Sequence, residues 1–360
     1  MKQILTELDR WQERNEEIAL ATLVRVRGSA PRPPGARLGL TRSGKLTGSV
    51  SAGCVENDVF ERALQVLDDG RPIVASYGIA DELAAQVGLS CGGSIDVLIE
   101  PFLPEDAWQA LRRAVQSERP AALSIGLTPG SLRGRKLAVL GDGLCVGSID
   151  PSLDSQLVGE AQRLLLSGGT RVLTLPWEGG EATLFLEAFP PTLRLYIVGA
   201  THTAIPLCRM AKELGFRVTV IDARSVFATN ERFPEADEVL RAWPDEVLDD
   251  AMLDPYAYVV SLTHDPKFDL PTLARALRSD TRYIGALGSR STHERRKAQL
   301  REQGFGQAEL ARIRAPIGLD LGGRSPEEIA LAILAEMMAV RYGREGRPLG
   351  ERRGPIHGNR

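Results

Sequence analysis

Apolar positions in the first half of the chain change period again and again. Leu5, Leu8 and Trp11 share one face of a helix expected over 4–16. Leu20, Thr22, Val24 and Val26 then alternate, which predicts a strand over 18–27. Runs over 38–41 and 46–50 flank Arg42-Ser43-Gly44-Lys45 and predict a hairpin. Val55, Val59, Ala63, Val66 and Leu67 return to helical spacing up to Asp69, where Gly70 supplies a stop. Further expected elements are strands over 72–77 and 94–100, a helix over 105–117, and strands over 121–127 and 137–140. Asp142-Gly143 is a hairpin turn into 144–149, so Cys145 is expected in the core. A helix over 155–167 and a hairpin across 178–181 follow. No regular βαβ repeat orders these elements, so residues 1–190 are expected to form an α+β domain.

The pattern changes after Pro190-Pro191. A strand over 193–199, a glycine-containing turn, a helix over 202–214 and a strand over 217–222 ending in Asp222 follow one another. Strand, turn, helix, strand and acid in that order predict a Rossmann-like, doubly wound parallel sheet over 191–342. The whole chain is therefore α/β in class. Gly199 permits the tight turn, and Asp222 stands where an acid accepts a bond from a ribose hydroxyl. Thr201, however, occupies the place of the second glycine in Gly199-Ala200-Thr201-His202-Thr203-Ala204. A Cβ there hinders a pyrophosphate, which weakens the expectation of NAD(P) more than that of the fold. Strands are expected over 238–240, 257–262 and 283–287, with helices over 245–252, 270–278, 292–303 and 326–341. Ligands of such sheets bind beyond the C-terminal strand ends. His202, Asp222, Arg224, His264 within Thr263-His264-Asp265, and Arg290 all fall there. Residues 343–360, rich in Gly, Arg and Pro, are expected to be disordered.

Candidate chemistry in the first half gathers at glycine-rich loops. Gly48-Ser49-Val50-Ser51-Ala52-Gly53-Cys54-Val55-Glu56 leads straight into the expected helix. Unpaired N–H groups and the positive end of a helix dipole favour a thiolate at Cys54, and its small neighbours leave room for approach. A free cysteine is also often a small buried hydrophobe, so both readings stand. Gly88-Leu89-Ser90-Cys91-Gly92-Gly93 repeats the arrangement, and such a turn makes a nest for anions. Arg32 sits at the centre of the stiff loop Gly28-Ser29-Ala30-Pro31-Arg32-Pro33-Pro34-Gly35, which suits either an anion or a plain connection.

Composition narrows the classes. With 360 residues, two domains are the natural expectation. A net charge of -3 shows no footprint for nucleic acid or a membrane surface. No apolar run reaches transmembrane length, and acidic residues interrupt the opening stretch, so the expected location is the cytoplasm. Cys54, Cys91, Cys145 and Cys208 lie far apart without a CxxC pair, which argues against a zinc site and a disulfide framework.

Together the Gly28–Arg32, Gly48–Glu56 and Gly88–Gly93 segments resemble the N-terminal part of the xanthine dehydrogenase accessory proteins, the XdhC/CoxI family. The second half adds Ile197-Val-Gly-Ala-Thr-His202, Arg232-Phe-Pro-Glu-Ala-Asp-Glu238, Thr263-His-Asp265, Tyr283-Ile-Gly-Ala-Leu-Gly-Ser-Arg290 and Ile317-Gly-Leu-Asp-Leu-Gly-Gly323, in the family's order. The resemblance implies a chaperone for molybdopterin-type molybdenum cofactor, a maturation factor rather than a turnover enzyme. Such proteins protect the cofactor, present it to a cysteine desulfurase for sulfuration, and pass it to a xanthine dehydrogenase-type molybdoenzyme; a homodimer is usual. On the family's pattern Cys54 and Cys91 are the thiols near molybdenum, with Gly53, Glu56, Arg32 and Gly92 around them. A soft thiolate suits that metal, and arginines suit a phosphate-bearing pterin. Two alternatives rest on the residues: an NAD(P)-dependent oxidoreductase using His264 or His202, and a thiol-redox sensor pairing Cys54 with Cys91. The family usually has glycine at positions 52 and 201, where this chain has Ala52 and Thr201.

Overall fold

The computed structural model describes residues 2–78 and 92–351, so Cys91 and the rest of 79–91 lie outside the described residues. The chain divides into two compact units at the Pro190–Pro191 step.

In the first unit α1 (Lys2–Glu13) precedes β1 (Ile18–Arg27), β2 (Arg37–Thr41), β3 (Leu46–Gly48), α2 (Glu56–Asp69), β4 (Ile73–Tyr77) and β5 (Ser94–Pro101). Next come α3 (Asp106–Gln116), β6 (Ala121–Gly126), β7 (Lys136–Leu140), β8 (Cys145–Gly147), α4 (Pro151–Ser167), β9 (Gly169–Trp177) and β10 (Gly180–Phe189). They make two antiparallel sheets, ordered β3-β2-β1-β5-β4 and β8-β7-β6-β10-β9. The two orders are the same, and each run opens with a helix and carries another between its third and fourth strands.

Burial explains the arrangement. Leu20, Val24 and Leu98 of one sheet join Leu123, Ile125 and Phe185 of the other in a single core, closed by Leu5, Leu8 and Trp11 of α1 and Trp108 and Leu111 of α3. The opposite face of the first sheet packs on Val59, Ala63 and Val66 of α2, and that of the second on Leu157, Ala161 and Leu164 of α4. The first seven residues of β1 are therefore buried on both faces, not on one as simple alternation suggests.

Helix boundaries follow their caps. Gly70 ends α2 with φ 65° and donates to Val66 O. Helix α4 starts at Pro151, four residues before the expected 155, because Asp150 accepts from Ser152 N–H and proline fits the first turn. Helix α7 (Pro266–Arg278) begins early for the same reason, with Asp265 accepting from Lys267 N–H. The expectation of a core Cys145 is corrected. It opens the three-residue strand β8, which among the described residues is an edge strand with a neighbour on one side only, and is exposed. Its thiol donates to Gly143 O at 3.5 Å.

The second unit is a six-stranded parallel sheet, ordered β13-β12-β11-β14-β15-β16. Its strands are β11 (Arg194–Val198), β12 (Arg217–Ile221), β13 (Glu238–Leu240), β14 (Ala257–Ser261), β15 (Tyr283–Ala286) and β16 (Ile313–Arg314). Helices α5 (Ala204–Glu213) and α10 (Pro326–Arg341) cover one face. Helix α7, α8 (Arg290–Glu302) and α9 (Gln307–Leu310) cover the other, and α6 (Pro244–Val247) is a single turn. Strand β16 and helix α9 are too short for any period to announce them. The order reverses between β11 and β14, which opens the crevice of a doubly wound sheet at those strand ends. Past α10 the described residues include a 3-10 turn at Leu349–Glu351. Among the described residues no helix is long and apolar enough to cross a membrane.

Candidate functional site

The loop from β3 to α2 is built around one carboxylate. Gly48 has φ 82°, and a Cβ on it would lie 2.2 Å from Arg37 O. Ser49 N–H then donates to that same carbonyl at 2.9 Å. Ala52 and Gly53 follow with φ 59° and 110°, both left-handed, which turns the chain outward before Cys54. Glu56, the first residue of α2, folds back beneath this turn. Its Oε1 accepts from Ser49 Oγ at 2.7 Å and Ser51 N–H at 2.9 Å. Its Oε2 accepts from Ser51 Oγ, from Gly53 N–H at 2.9 Å and from Val55 N–H at 3.2 Å. Burial alone would raise the Glu56 pKa, but the donors from Ser49 and Ser51 outweigh it and bring it down to about 2.

This changes the expected roles. Cys54 stands two residues ahead of the first helical residue. The amides at Gly53 and Val55, on either side of it, are bound by Glu56. The anion held at this helix start is thus Glu56, so the dipole argument for the Cys54 thiolate gives way to a carboxylate already in place. Glu56 itself, expected beside a cofactor, is spent on the loop. Cys54 is half-buried, leaning on the same apolar cluster as Ala30.

Neighbouring loops interlock. A Cβ on Gly93 would lie 2.1 Å from Ser29 O, and one on Gly28 would lie 3.3 Å from Gly93 Cα. The 28–32 segment and the turn at Gly92 and Gly93 therefore touch backbone to backbone. Arg32 is exposed and makes no ion pair among the described residues. Asp96 of β5 gathers Arg27 at 3.2 Å, Arg25 at 3.5 Å and the Ser76 hydroxyl at 2.8 Å. Tyr77 donates to Asp58 at 2.7 Å, and its phenol is pushed up by burial and then by that carboxylate. Cys91 lies outside the described residues. A hollow of about 600 Å³ beside α3, lined by Arg133, Lys136, Glu100 and Glu105 among others, includes none of the sequence-expected residues.

In the second unit a cavity of about 510 Å³ opens at the β11–β14 strand ends, lined by Thr201, Arg224, Leu262, Thr263, His264, Asp265 and Pro266. It brings together three of the expected residues, Thr201, Arg224 and His264. His202 and Arg290 are exposed and do not line it. Gly199 has φ 100°, and a Cβ there would strike Thr263 Cγ2 at 2.4 Å. Asp222 is fully buried. Its Oδ1 accepts from Arg224 N–H and Nε, both at 2.9 Å, and its Oδ2 from Ala200 N–H at 2.8 Å and Arg224 Nη2 at 2.7 Å. Burial would raise this carboxyl, but Arg224 and the two amides hold it below the usual range. Two donors on each oxygen fill its acceptor sites, leaving none for a ribose hydroxyl. The Thr201 hydroxyl is buried without a partner among the described residues.

A buried network missed by sequence reasoning underlies this cavity. Asp269 accepts from Ser261 Oγ and Thr263 Oγ1, both at 2.5 Å, and pairs with Arg296, both side chains being at least 96% buried. Arg296 also donates to Leu287 O at 2.8 Å and Thr263 O at 3.3 Å. An acid four residues beyond Asp265, on the inner face of α7, was the available signal.

Comparisons with known proteins cover nearly the whole chain. The family model described as the XdhC Rossmann domain matches residues 195–337, and the one described as the XdhC and CoxI family matches residues 11–78. A Bacillus subtilis (strain 168) protein, named as a probable component of xanthine dehydrogenase, is 29% identical over 340 residues, covering 93% of this chain and 97% of its own. The Escherichia coli (strain K12) molybdenum cofactor insertion chaperone PaoD is 28% identical over 326 residues, covering 91% and 84%. A crystal structure described as a xanthine dehydrogenase from Bacillus halodurans superposes with a TM-score of 0.62 at 25% identity, covering 97% of both chains.

Proposed function

The chain belongs to the XdhC and CoxI family, and on that premise we propose that it is a chaperone for molybdenum cofactor. In this reading it binds the molybdopterin-type cofactor as cargo, protects it, and hands it to a xanthine dehydrogenase-type molybdoenzyme. A similar protein that spans most of the chain carries the name of cofactor insertion chaperone, and another is named as part of xanthine dehydrogenase.

The observation that carries the reading is the presentation of Cys54. The loop's own carboxylate is consumed by two hydroxyls and three amides. The turn at Ala52 and Gly53 leaves the neighbouring thiol half-open on a braced support. A cysteine sulfur there would be a soft donor for molybdenum or its sulfido form. Arg32, exposed in the loop that touches Gly93, suits a pterin phosphate. Gly92, in the turn that touches this loop, belongs to the same proposed site, and Cys91, outside the described residues, is proposed as its second thiol. In the finer part of the proposal, a cysteine desulfurase sulfurates the held cofactor, and the chain acts as a cytoplasmic homodimer. Thr201, Arg224 and His264 then form a second binding surface for the recipient or for a nucleotide portion of the cargo.

The oxidoreductase alternative has less to stand on, since Asp222 spends its acceptors on Arg224 and Ala200. The test is reconstitution. An apo form of a xanthine dehydrogenase-type enzyme is incubated with this chain purified after production with molybdate. Activation by the wild type, and its loss with Cys54→Ala, is expected. Equal activation by both would remove Cys54 from the account, and none by either would remove the chaperone role.

A further inference from the structure

The first unit is one fold used twice. Strand register matches the copies residue by residue. Leu20 pairs with Glu100 as Leu123 pairs with Glu187. Thr22 pairs with Arg37 as Ile125 pairs with Lys136. Leu38 pairs with Gly48 as Leu137 pairs with Gly147. The side chains then cross between copies. Arg37 of the first forms a pair with Glu187 of the second at 2.5 Å, and Lys136 of the second pairs with Glu100 of the first at 2.8 Å. A Cβ on Gly35 would meet Glu187 at 2.8 Å, and one on Gly134 would meet Glu100 at 3.5 Å. Contacts that run from i to j and back from j to i mark a twofold relation, here within one chain.

The copies share the loop brace but not the loop. Ser148 Oγ donates to Asp154 at 2.6 Å, as Ser49 Oγ does to Glu56. The brace spans six residues in the second copy and seven in the first. The extra residue comes with the left-handed pair Ala52 and Gly53 and with the thiol; the second loop, Ser148-Ile149-Asp150-Pro151-Ser152-Leu153-Asp154, has no cysteine.

We propose that the second copy serves as a pedestal for the first, with Glu187 and Arg37 as positioning residues for Cys54. The carboxylate that binds the Arg37 guanidinium, Glu187, and the rings beside it, Trp108 and Phe189, each 5.8 Å away, belong to the second copy; its further hydrogen bond goes to Gly35 O at 3.0 Å. The Arg37 carbonyl in turn takes Ser49 N–H and abuts Gly48. Ser49 Oγ accepts from Ala52 N–H at 2.8 Å and donates to Glu56, which binds the amides on both sides of Cys54. The pose of the thiol is thus set from the other copy. That Cys54 serves the cargo rests on the reading above; the positioning does not.

Pseudo-symmetry supplies the control. Glu187→Gln and Glu100→Gln each remove a carboxylate paired with a buried cation, Lys136 keeping Glu105 at 3.3 Å, but only the first takes the ion-pair partner from Arg37 and with it the support of the Cys54 loop. Peptide-resolved alkylation of Cys54 by iodoacetamide is followed in the full chain, together with thermal melting. Both variants are expected to melt earlier. Cys54 alkylation should speed up about tenfold in Glu187→Gln, the effect of a loop opening about 1.4 kcal/mol cheaper, and change less than about twofold in Glu100→Gln. Equal acceleration in both, or none in Glu187→Gln, would overturn the proposal. If Glu187→Gln fails to fold, Glu187→Asp against Glu100→Asp gives the same contrast. An alkylation contrast with unchanged pterin retention upholds the positioning and counts against a cargo role for Cys54.

Discussion

Five donors converge on the Glu56 carboxylate, and that count fixes what acid does to this loop. The folded-state pKa, about 2, lies below the ordinary 4.5. The stability from these bonds is therefore present above pH 4.5 and lost as pH falls from there towards 2. Discounted for solvent around a half-buried group, it amounts to about 1–2 kcal/mol. Urea titrations at several pH values should show the wild type losing that much more than Glu56→Gln over this window. Gly48 makes a steric prediction. Alanine there combines φ 82° with a 2.2 Å approach to Arg37 O, and should cost about 2–3 kcal/mol in chemical denaturation. At residue scale, Cys54 and its glycine stood out in the sequence as a candidate site. The role of Glu56 did not, because its partners Ser49 and Ser51 are set opposite it only by two left-handed residues.

Elements of the second unit were the easier to read. Buried parallel strands give apolar runs such as Arg194–Val198 and Ala257–Ser261, and caps such as Ser325 before α10 are visible in the sequence. What joins α7 to α8 was not visible, because a buried acid looks like any helical acid until its partner is placed. Asp269→Ala leaves Arg296 uncompensated and should cost about 3–5 kcal/mol in equilibrium unfolding, whereas Asp269→Leu with Arg296→Met should cost much less than the sum of the single changes. The close approach of the turns after the parallel neighbours β11 and β14 gives a second check. Gly199→Ala drives a Cβ to 2.4 Å from Thr263 Cγ2, costing about 1–3 kcal/mol. Thr263→Ser removes that methyl while keeping the hydroxyl for Asp269, so it should recover part of the loss in a double-mutant cycle.

For the whole molecule, the twofold repeat explains why the first unit was legible only as α+β. Its copies diverge in side chain, Arg37 against Lys136 and Val59 against Leu157, and their spacing slips where the Cys54 loop gained a residue. Self-similarity of that kind shows in strand order and register before it shows in letters. A unit with one modified loop out of two predicts a single cargo site per chain, braced from the unmodified copy. Production with molybdate, followed by oxidation and fluorescence measurement of the pterin released from the purified chain, tests the central claim most directly. The account predicts pterin in the wild type, retained in Cys145→Ala and largely lost in Cys54→Ala. Absence of pterin from the wild type, or equal amounts in all three proteins, would contradict it.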